Sequence, residues 1–234
     1  MSNADNHTGA GGLIHEIIPV GWLQCNCSIL GDTATRDAVV VDPGDEVEKI
    51  LQVIERHRLK VRAILNTHAH IDHVGGFRKL RAVTGAPVLM HERDLELYQM
   101  LDVQAKMIGM PAPERAEIEA TLEEGRSVRW GRFEFQVLHT PGHTRGSCCL
   151  FMPSADGVSA TLPAAEPGRL IAGDTLFAGS IGRTDLWGGS YEGILRSIHE
   201  KLMRLPNATV VYPGHGPVTT IGDERATNPF LAGR

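Results

Sequence analysis

The residues best suited to metal binding or catalysis lie in one short segment, THAHIDH, at positions 67–73. This segment directly follows the apolar run VRAILN. Imidazole nitrogens and carboxylate oxygens are common ligands of zinc and other divalent metals. Residues two apart in an extended segment point to the same side, so His68 and His70 can share one ion. The turn that follows can direct Asp72 and His73 towards a neighbouring point, so one segment can serve two metals.

Three further candidate ligands occupy comparable places along the chain. Each follows an apolar run and opens a loop that contains glycine, where polar side chains from separate strands can converge without disturbing a core. They are His143 in HTPGHT, Asp174 in AGDTLF and His215 in YPGHG. Together with the four residues of the first segment, they form a candidate ligand set large enough for two metal ions.

The elements that must position these ligands alternate in type. Short apolar runs from Leu13 predict antiparallel strands, and from Asp45 the strands alternate with amphipathic helices. We interpret residues 109–125 as an exposed acidic excursion, 153–168 as a surface loop and the end of the chain after Tyr212 as a short tail. This order favours two sheets packed face to face with helices outside, in an α/β (α+β) fold. The predicted helices span 45–57, 74–83, 92–108 and 190–205, and the predicted later strands span 127–130, 132–138, 147–152, 169–172 and 209–212.

Composition limits the kind of protein this is. The chain has 234 residues, of which 42% are hydrophobic and 22% charged, as is usual for one globular domain. We predict a single domain over residues 13–234 after a flexible tail of residues 1–12. The net charge of -5 disfavours nucleic acid and anionic membranes as partners. No export signal or long apolar segment is evident, so we expect a cytoplasmic protein whose four cysteines are reduced.

The motifs together resemble those of the metallo-β-lactamase superfamily. The resemblance rests on VDPG at residues 41–44, followed in order by THAHIDH, HTPGHT, GDTLF and PGHG. It implies a four-layer αββα sandwich with a dinuclear site at one edge of the two sheets. The implied ligands are His68, His70 and His143 for one metal and Asp72, His73 and His215 for the other, with Asp174 bridging the two.

Within that superfamily, the segments AGDTLFAGSIGRTD and PGHGPVTTIGDERATNPF resemble the glyoxalase II-like hydrolases, which cleave acylglutathione thioesters. Only nineteen residues follow His215, so the resemblance is to a short type that lacks the C-terminal helical domain of longer enzymes. It implies hydrolysis of S-D-lactoylglutathione or a related acyl-thiol by a monomer or small homo-oligomer. The motifs leave open both the thiol and the acyl group.

Thioester hydrolysis requires a strong nucleophile at neutral pH and stabilisation of an oxyanion, and two metals about 3.5–4 Å apart can supply both. We expect a metal-bridging hydroxide to attack the thioester carbon. Asp72 is the candidate catalytic residue, because it can move a proton from the attacking water. A thiol with a pKa of about 8.5 leaves readily as an anion, so we assign no general acid. Zinc is the expected metal, and iron or manganese also suits these nitrogen and oxygen ligands.

Two residues outside the ligand set receive supporting roles. We predict that Asp42, in VDPG, accepts the second N–H of a metal-bound imidazole. The alternative is an ordinary Asp-Pro-Gly turn residue. Arg183, in IGRTD, stands where glyoxalase II-like enzymes keep a basic residue that contacts the substrate's carboxylate, and an Arg suits that contact. The alternative for Arg183 is a structural pair with Asp185 or with a neighbouring backbone carbonyl.

Other functions are compatible with parts of this pattern. Persulfide dioxygenases resemble the chain, including the GRTD segment, but hold one iron with two histidines and one aspartate. The complete second ligand group favours hydrolysis over that oxygenase chemistry. Lactonases and β-lactamases use the same nucleophile, and the fold alone does not separate them. The acidic charge disfavours a nuclease, and the full ligand set disfavours a non-enzymatic metal- or thiol-binding protein.

Overall fold

Two β-sheets stacked face to face form the centre of the computed structural model, which describes residues 7–8, 12–154 and 166–232. Most of the predicted tail 1–12 and of the predicted loop 153–168 lies outside the described residues. Within the tail, His7 and Thr8 pair with the first long strand. The division into tail and domain therefore remains a prediction.

The first sheet has seven strands in the order β1-β2-β3-β4-β5-β6-β7. Neighbours pair antiparallel from β1 to β4 and parallel from β4 to β7. Short turns can join antiparallel strands, whereas parallel neighbours need a longer crossover, which helices provide here. The strands are β1 His7–Thr8, β2 Leu13–Val20, β3 Cys25–Asp32, β4 Asp37–Val41, β5 Lys60–Leu65, β6 Val88–Met90 and β7 Ala120–Thr121.

The second sheet has six strands in the order β15-β14-β11-β10-β9-β8. Among the described strands of this sheet, only β11 and β14 pair in parallel, and helix α6 lies between them in the chain. A separate two-stranded hairpin, β12–β13, follows β11. The strands are β8 Ser127–Trp130, β9 Phe133–His139, β10 Cys148–Met152, β11 Arg169–Gly173, β12 Leu176–Phe177, β13 Ser180–Ile181, β14 Val210–Pro213 and β15 Thr219–Thr220.

Helices cover the outer faces of both sheets. None of the helices in the described part of the chain is long and apolar enough to cross a membrane. The α-helices are α1 Val47–Arg56, α2 Ile71–Val74, α3 Phe77–Thr84, α4 Leu95–Gln99, α5 Leu101–Ile108, α6 Tyr191–Glu200 and α7 Ile221–Thr227. Two short 3₁₀ helices span Glu92–Asp94 and Leu202–Arg204.

Three layers of buried apolar side chains hold these elements together. Leu65 and Phe135 belong to the layer between the two sheets. Ile50 and Phe77 pack between the first sheet and its helices, and Ile194 belongs to the matching layer outside the second sheet. The predicted four-layer αββα sandwich is therefore confirmed.

The structure corrects several predicted elements. The single helix predicted over 92–108 is a 3₁₀ turn followed by α4 and α5, because the backbone at Met100 leaves the helical region. The excursion 109–125 contains β7, which pairs with β6 at the edge of the first sheet. The predicted C-terminal tail was wrong, because it forms β15 and α7. Thr220 caps α7 by accepting a hydrogen bond from the Asp223 N–H.

Candidate metal centre

All seven candidate ligands lie at one edge of the sandwich. The segment with His68, His70, Asp72 and His73 follows β5 and ends in the single helical turn α2. This turn, rather than an open loop, directs Asp72 and His73 towards the second ligand group. The remaining three ligands follow the ends of strands in the second sheet: His143 after β9, Asp174 after β11 and His215 after β14.

The first group consists of three buried histidines. His143 Nε2 lies 3.2 Å from His68 Nε2 and 2.9 Å from His70 Nδ1. Three imidazole nitrogens thus converge on one point, a pattern that tetrahedral and five-coordinate metal sites share. His68 and His70 follow a strand of the first sheet, and His143 follows a strand of the second sheet. Both sheets therefore contribute to this group.

The second group combines two histidines with a carboxylate. His215 Nε2 lies 3.3 Å from His73 Nε2 and 3.1 Å from Asp72 Oδ2. The distance from His73 Nε2 to Asp72 Oδ2 is 3.6 Å. The three ligand atoms converge in the same way as those of the first group.

Asp174 stands between the two groups. Its Oδ2 lies 3.7 Å from His143 Nε2 and 3.7 Å from His215 Nε2, one histidine from each group. Its Oδ1 lies 3.5 Å from His73 Nε2, yet this buried oxygen has no hydrogen-bond partner among the described residues. A buried carboxylate oxygen without a donor is costly, and a metal cation would satisfy it.

Three histidines have an oxygen partner at the ring nitrogen that faces away from the centre. His143 Nδ1 donates to the Arg183 carbonyl at 2.8 Å, and His215 Nδ1 donates to the Leu23 carbonyl at 3.1 Å. His73 Nδ1 lies 3.0 Å from Asp42 Oδ2. With these protons on Nδ1, each Nε2 presents a lone pair to the centre. Lone pairs about 3 Å apart repel each other unless a cation lies between them, so the donor set fits divalent metals.

Asp42 positions His73 and the start of the ligand segment. Besides His73, it accepts hydrogen bonds from the Thr67 N–H at 2.8 Å and the Thr67 hydroxyl at 2.5 Å. The Asn66 side chain donates to it at 3.2 Å. Its backbone has a φ of +52°, a conformation that Asp adopts more readily than most residues. These contacts exceed those of a simple turn residue, and the role of Asp42 beside a metal-bound imidazole remains a prediction.

Asp94 is a positioning residue that the sequence analysis missed. This buried carboxylate accepts hydrogen bonds from the Ala69 N–H at 2.9 Å and the Gly146 N–H at 2.6 Å. The Thr144 hydroxyl also donates to it at 2.8 Å. Asp94 therefore ties the His68–His70 segment to the loop that carries His143. Burial raises the pKa of this carboxyl above its ordinary value.

Gln104 is a second residue that the sequence analysis missed. Its side-chain carbonyl accepts from the Ile71 N–H at 3.0 Å, and its amide donates to the Ala69 carbonyl at 3.1 Å. Because Gln104 lies on α5, these two bonds fix the ligand segment against that helix. The only sequence signal was a polar residue on the buried side of an otherwise apolar helical face.

Electrostatics favour neutral histidines in the first group. Burial lowers the pKa of His70 to about 3 and lowers that of His68 as well. Burial acts to raise the pKa of Asp72, but the neighbouring His73 and His215 hold it below its ordinary value. Neutral imidazoles and an ionised carboxylate are the forms that bind metals.

Arg183 is placed differently from the ligands. Its exposed guanidinium makes a two-point ion pair with Asp185, at 2.7 and 2.8 Å. The backbone carbonyl of Arg183, rather than its side chain, contacts His143. The structural pair that was the alternative for Arg183 is thus formed, and contact with substrate remains a prediction.

Close backbone contacts explain two glycines around the centre. A Cβ atom at Gly44, beside Asp42, would lie 1.5 Å from the Asp72 carbonyl oxygen. A Cβ atom at Gly214 would lie 2.2 Å from Asp174 Oδ1. A side chain at Gly44 would collide with the Asp72 backbone, and one at Gly214 would collide with the Asp174 carboxylate, so both positions require glycine.

Comparison with known proteins agrees with this arrangement. The family model described as the metallo-beta-lactamase superfamily matches residues 20–161 and 163–215. A protein of Haemophilus influenzae named hydroxyacylglutathione hydrolase GloC is 38% identical over 223 residues, which cover 92% of this chain and 97% of that protein. The chain therefore belongs to the metallo-β-lactamase superfamily.

The chain is also similar to several solved structures. BLEG-1, described as a B3 metallo-beta-lactamase, is 37% identical with a TM-score of 0.82, over 94% of this chain and 100% of that one. TTHA1623, solved in a di-iron-bound form, is 39% identical with a TM-score of 0.77, over 92% and 99%. ETHE1 from Myxococcus xanthus is 29% identical with a TM-score of 0.75, over 94% and 85%. A His/Asp cluster of this kind and a di-iron neighbour fit the use of two metals.

Proposed function

We propose that this protein is a dinuclear metal-dependent hydrolase that cleaves a thioester, with S-D-lactoylglutathione or a related acyl-thiol as substrate. The observation that carries the proposal is Asp174, whose carboxylate lies between two complete ligand groups. Similarity to the Haemophilus influenzae hydroxyacylglutathione hydrolase supports the thioester class. We propose zinc as the metal, with iron or manganese as the alternatives.

The ligands would hold two divalent ions, His68, His70 and His143 on one and Asp72, His73 and His215 on the other, with Asp174 shared. When bound, such ions lower the pKa of water and polarise a carbonyl group. The chain's own part is to hold the ligand atoms in place. Asp42 orients His73, while Asp94 and Gln104 fix the loops that carry the first group.

Asp72 is the proposed catalytic residue of the chain. It is partly exposed on the open side of the centre, whereas His68 and His73 are buried. Its Oδ2 lies 3.1 Å from His215 Nε2. A carboxylate in this position can accept the proton that the attacking water loses. The thiolate product needs no proton at departure, because thiols are acidic enough to leave as anions.

The second candidate function is a persulfide dioxygenase. Likeness to ETHE1 from Myxococcus xanthus and the GRTD segment at 182–185 favour it. Such an enzyme would use one iron and leave the second ligand group without a metal. The complete Asp72–His73–His215 group favours the hydrolase over this alternative.

Metal content and activity, measured on one purified sample, test the proposal. We expect about two metal ions per chain by plasma mass spectrometry, together with hydrolysis of S-D-lactoylglutathione. His215→Ala should lose hydrolysis and metal from the second group, whereas the control His199→Ala, in α6 away from the centre, should keep both. One iron per chain with oxygen uptake on glutathione persulfide would replace the hydrolase with the dioxygenase. Turnover of lactones or nitrocefin, but not of thioesters, would move the protein to another hydrolase class.

A further inference from the structure

An apolar pocket opens beside the second ligand group. Its volume is about 220 Å³, and Asp72, a proposed metal ligand, forms part of its wall. The backbone next to it is also tied to the centre, because the Leu23 carbonyl accepts the His215 Nδ1–H. A molecule in this pocket would therefore touch the reacting region. Its apolar lining includes Trp22, Leu23, Ile71, Ile108 and Met110.

Two segments far apart in sequence supply the two opposing apolar walls of the pocket. The turn between β2 and β3 presents Trp22 and Leu23, which are 71% and 40% exposed. The Glu46 carboxylate holds this turn by accepting from the Gly21 N–H at 3.0 Å. The end of α5 and the residues after it supply the opposite wall. Large apolar side chains exposed together around a concave site are typical of ligand-binding surfaces.

The charge of the pocket lining disfavours the glutathione portion of the proposed substrate. Among the described residues that line it, the ionisable side chains are Asp45 and Asp72, and none is Lys or Arg. Glutathione carries two carboxylates, which would find no cationic side chain in this lining and would lose water without gaining a partner. Arg183 does not line the pocket, and its backbone carbonyl contacts His143 of the first ligand group.

From these observations, and resting on the proposed thioester hydrolysis, we propose that this pocket binds an apolar acyl group of the substrate. The thiol portion then extends away from the pocket, on the His143 side of the centre. An apolar cavity of about 150 Å³ can hold a benzene molecule. The pocket thus has room for an aliphatic chain of several carbons or one ring, and it favours acyl groups more apolar than lactoyl.

Alkyl thioethers of one thiol test this assignment without any chemical step. We would titrate the full-length metal-loaded protein with S-methylglutathione and S-hexylglutathione by isothermal calorimetry. Each methylene group that the pocket buries strengthens binding by up to about fourfold. We expect the hexyl compound to bind at least about tenfold more tightly than the methyl compound, with a more negative heat-capacity change.

Two neighbouring residues provide matched variants. Ile108 lines the pocket, whereas the adjacent Met107 is 60% exposed and does not line it. Ile108→Asp should remove the preference for the hexyl compound, and Met107→Asp should retain it. Trp22→Ser, in the opposite wall, gives a second, independent loss. A wild-type protein without hexyl preference, or a preference that survives both pocket variants, would overturn the assignment.

A parallel assay with S-acetyl- and S-hexanoylglutathione separates this inference from the proposed function. Hydrolysis of both at equal kcat/KM, with no hexyl preference in binding, would leave the hydrolase and remove the acyl pocket. A hexyl preference without hydrolysis of either thioester would keep an apolar ligand site and remove the thioester activity.

Discussion

Two buried aspartates at opposite edges of the sandwich have different partners. Asp94 lies at the edge of the sandwich that carries the seven candidate ligands, here called the metal edge. It accepts hydrogen bonds from the N–H groups of Ala69 and Gly146 and from the Thr144 hydroxyl, all of them neutral. Asp32, at the far edge, is bound by the Arg132 guanidinium at 2.7 to 3.2 Å and by the Arg132 N–H at 2.9 Å. Each carboxylate joins the two sheets, yet only Asp32 has a permanent cation beside it.

This difference indicates that the two edges have different tasks: the edge with Asp32 stabilises the fold, and the edge with Asp94 supports the ligand residues. An Arg neutralises a carboxylate permanently, which suits a connection that must only hold. Neutral donors fix the position of Asp94 but leave its negative charge uncompensated within the protein. At the metal edge, that charge can act on whatever cation the histidines hold. The comparison predicts that changes at the metal edge reduce activity and changes at the far edge reduce stability.

The largest expected effect follows from Asp174→Ala, which removes the carboxylate between the two ligand groups. We expect kcat/KM for thioester hydrolysis to fall by about a hundredfold to a thousandfold. The purified protein should also lose metal. Kinetics and metal analysis on the same sample test this. A fully active variant without metal would contradict the assignment of the metal edge.

Asp94→Asn tests whether a residue that touches no ligand atom supports the centre. The amide keeps the size of the side chain but removes the charge and one acceptor. Loss of a residue that orients metal ligands costs about 10- to 100-fold in metal affinity or activity. Competition with a chelator measures the affinity. Unchanged metal affinity together with a lower urea midpoint would place Asp94 with Asp32, as a structural residue.

Asp32→Asn is the matched change at the far edge. Burial opposes ionisation, but the hydrogen bonds from Arg132 and Ala34 lower the pKa of Asp32 from 3.8 to about 2. Allowing for solvent screening of the half-exposed Arg132, the ionised form contributes about 1–2 kcal/mol to the free energy of unfolding. We expect urea unfolding at pH 7 to show this loss, with metal content and kcat/KM retained.

The pH dependence of Asp32 gives the sign of the effect. Because its pKa is depressed in the folded state, its contribution is present above the unfolded-state value and is lost as the pH falls through about 2. The difference in stability between wild type and Asp32→Asn should therefore shrink between about pH 5 and pH 2. A difference that stays constant over this range would show that Arg132 does not depress the pKa.

The smallest effect is expected from Arg183→Ala. Its ion pair with Asp185 is exposed, so we expect its loss to leave the urea midpoint of unfolding nearly unchanged. If Arg183 also meets a substrate carboxylate, KM should rise by several-fold while the metals are retained. Arg126→Ala, which removes a similarly exposed pair with Glu123, is the control. Equal KM values for both variants would leave Arg183 as a surface ion pair only.

The candidate ligands could be predicted because each follows an apolar run. In a sandwich of strands, such residues collect at a sheet edge, and the structure brings all seven candidates together there. The strands at 127–130 and 147–152 were also recognisable, because their apolar residues are continuous or alternate. The local pattern therefore predicts where a strand ends and which side chain follows it. These side chains form one site because the strand ends lie at the same edge of the sandwich.

Other features depend on contacts that the local sequence does not carry. Asp94 acts through Gly146, 52 residues away, and nothing around Asp94 marks that contact. Helix α7 is a different case, because Thr220 and Asp223 have the spacing of a helix cap and the signal was overlooked. The hairpin β12–β13 is too short to show a period.

The division of the ligands between the two sheets has a consequence for the whole chain. Four follow β5 of the first sheet, and three follow strands of the second. Metal binding would therefore act as a reversible cross-link that closes the chain from His68 to His215. Because the unfolded chain has no such assembled site, a free-metal concentration of about 100 times Kd adds about 2.7 kcal/mol to the apparent stability. The melting temperature of this protein would therefore rise with the concentration of free metal. Chelation of the metal would weaken the connection between the two sheets.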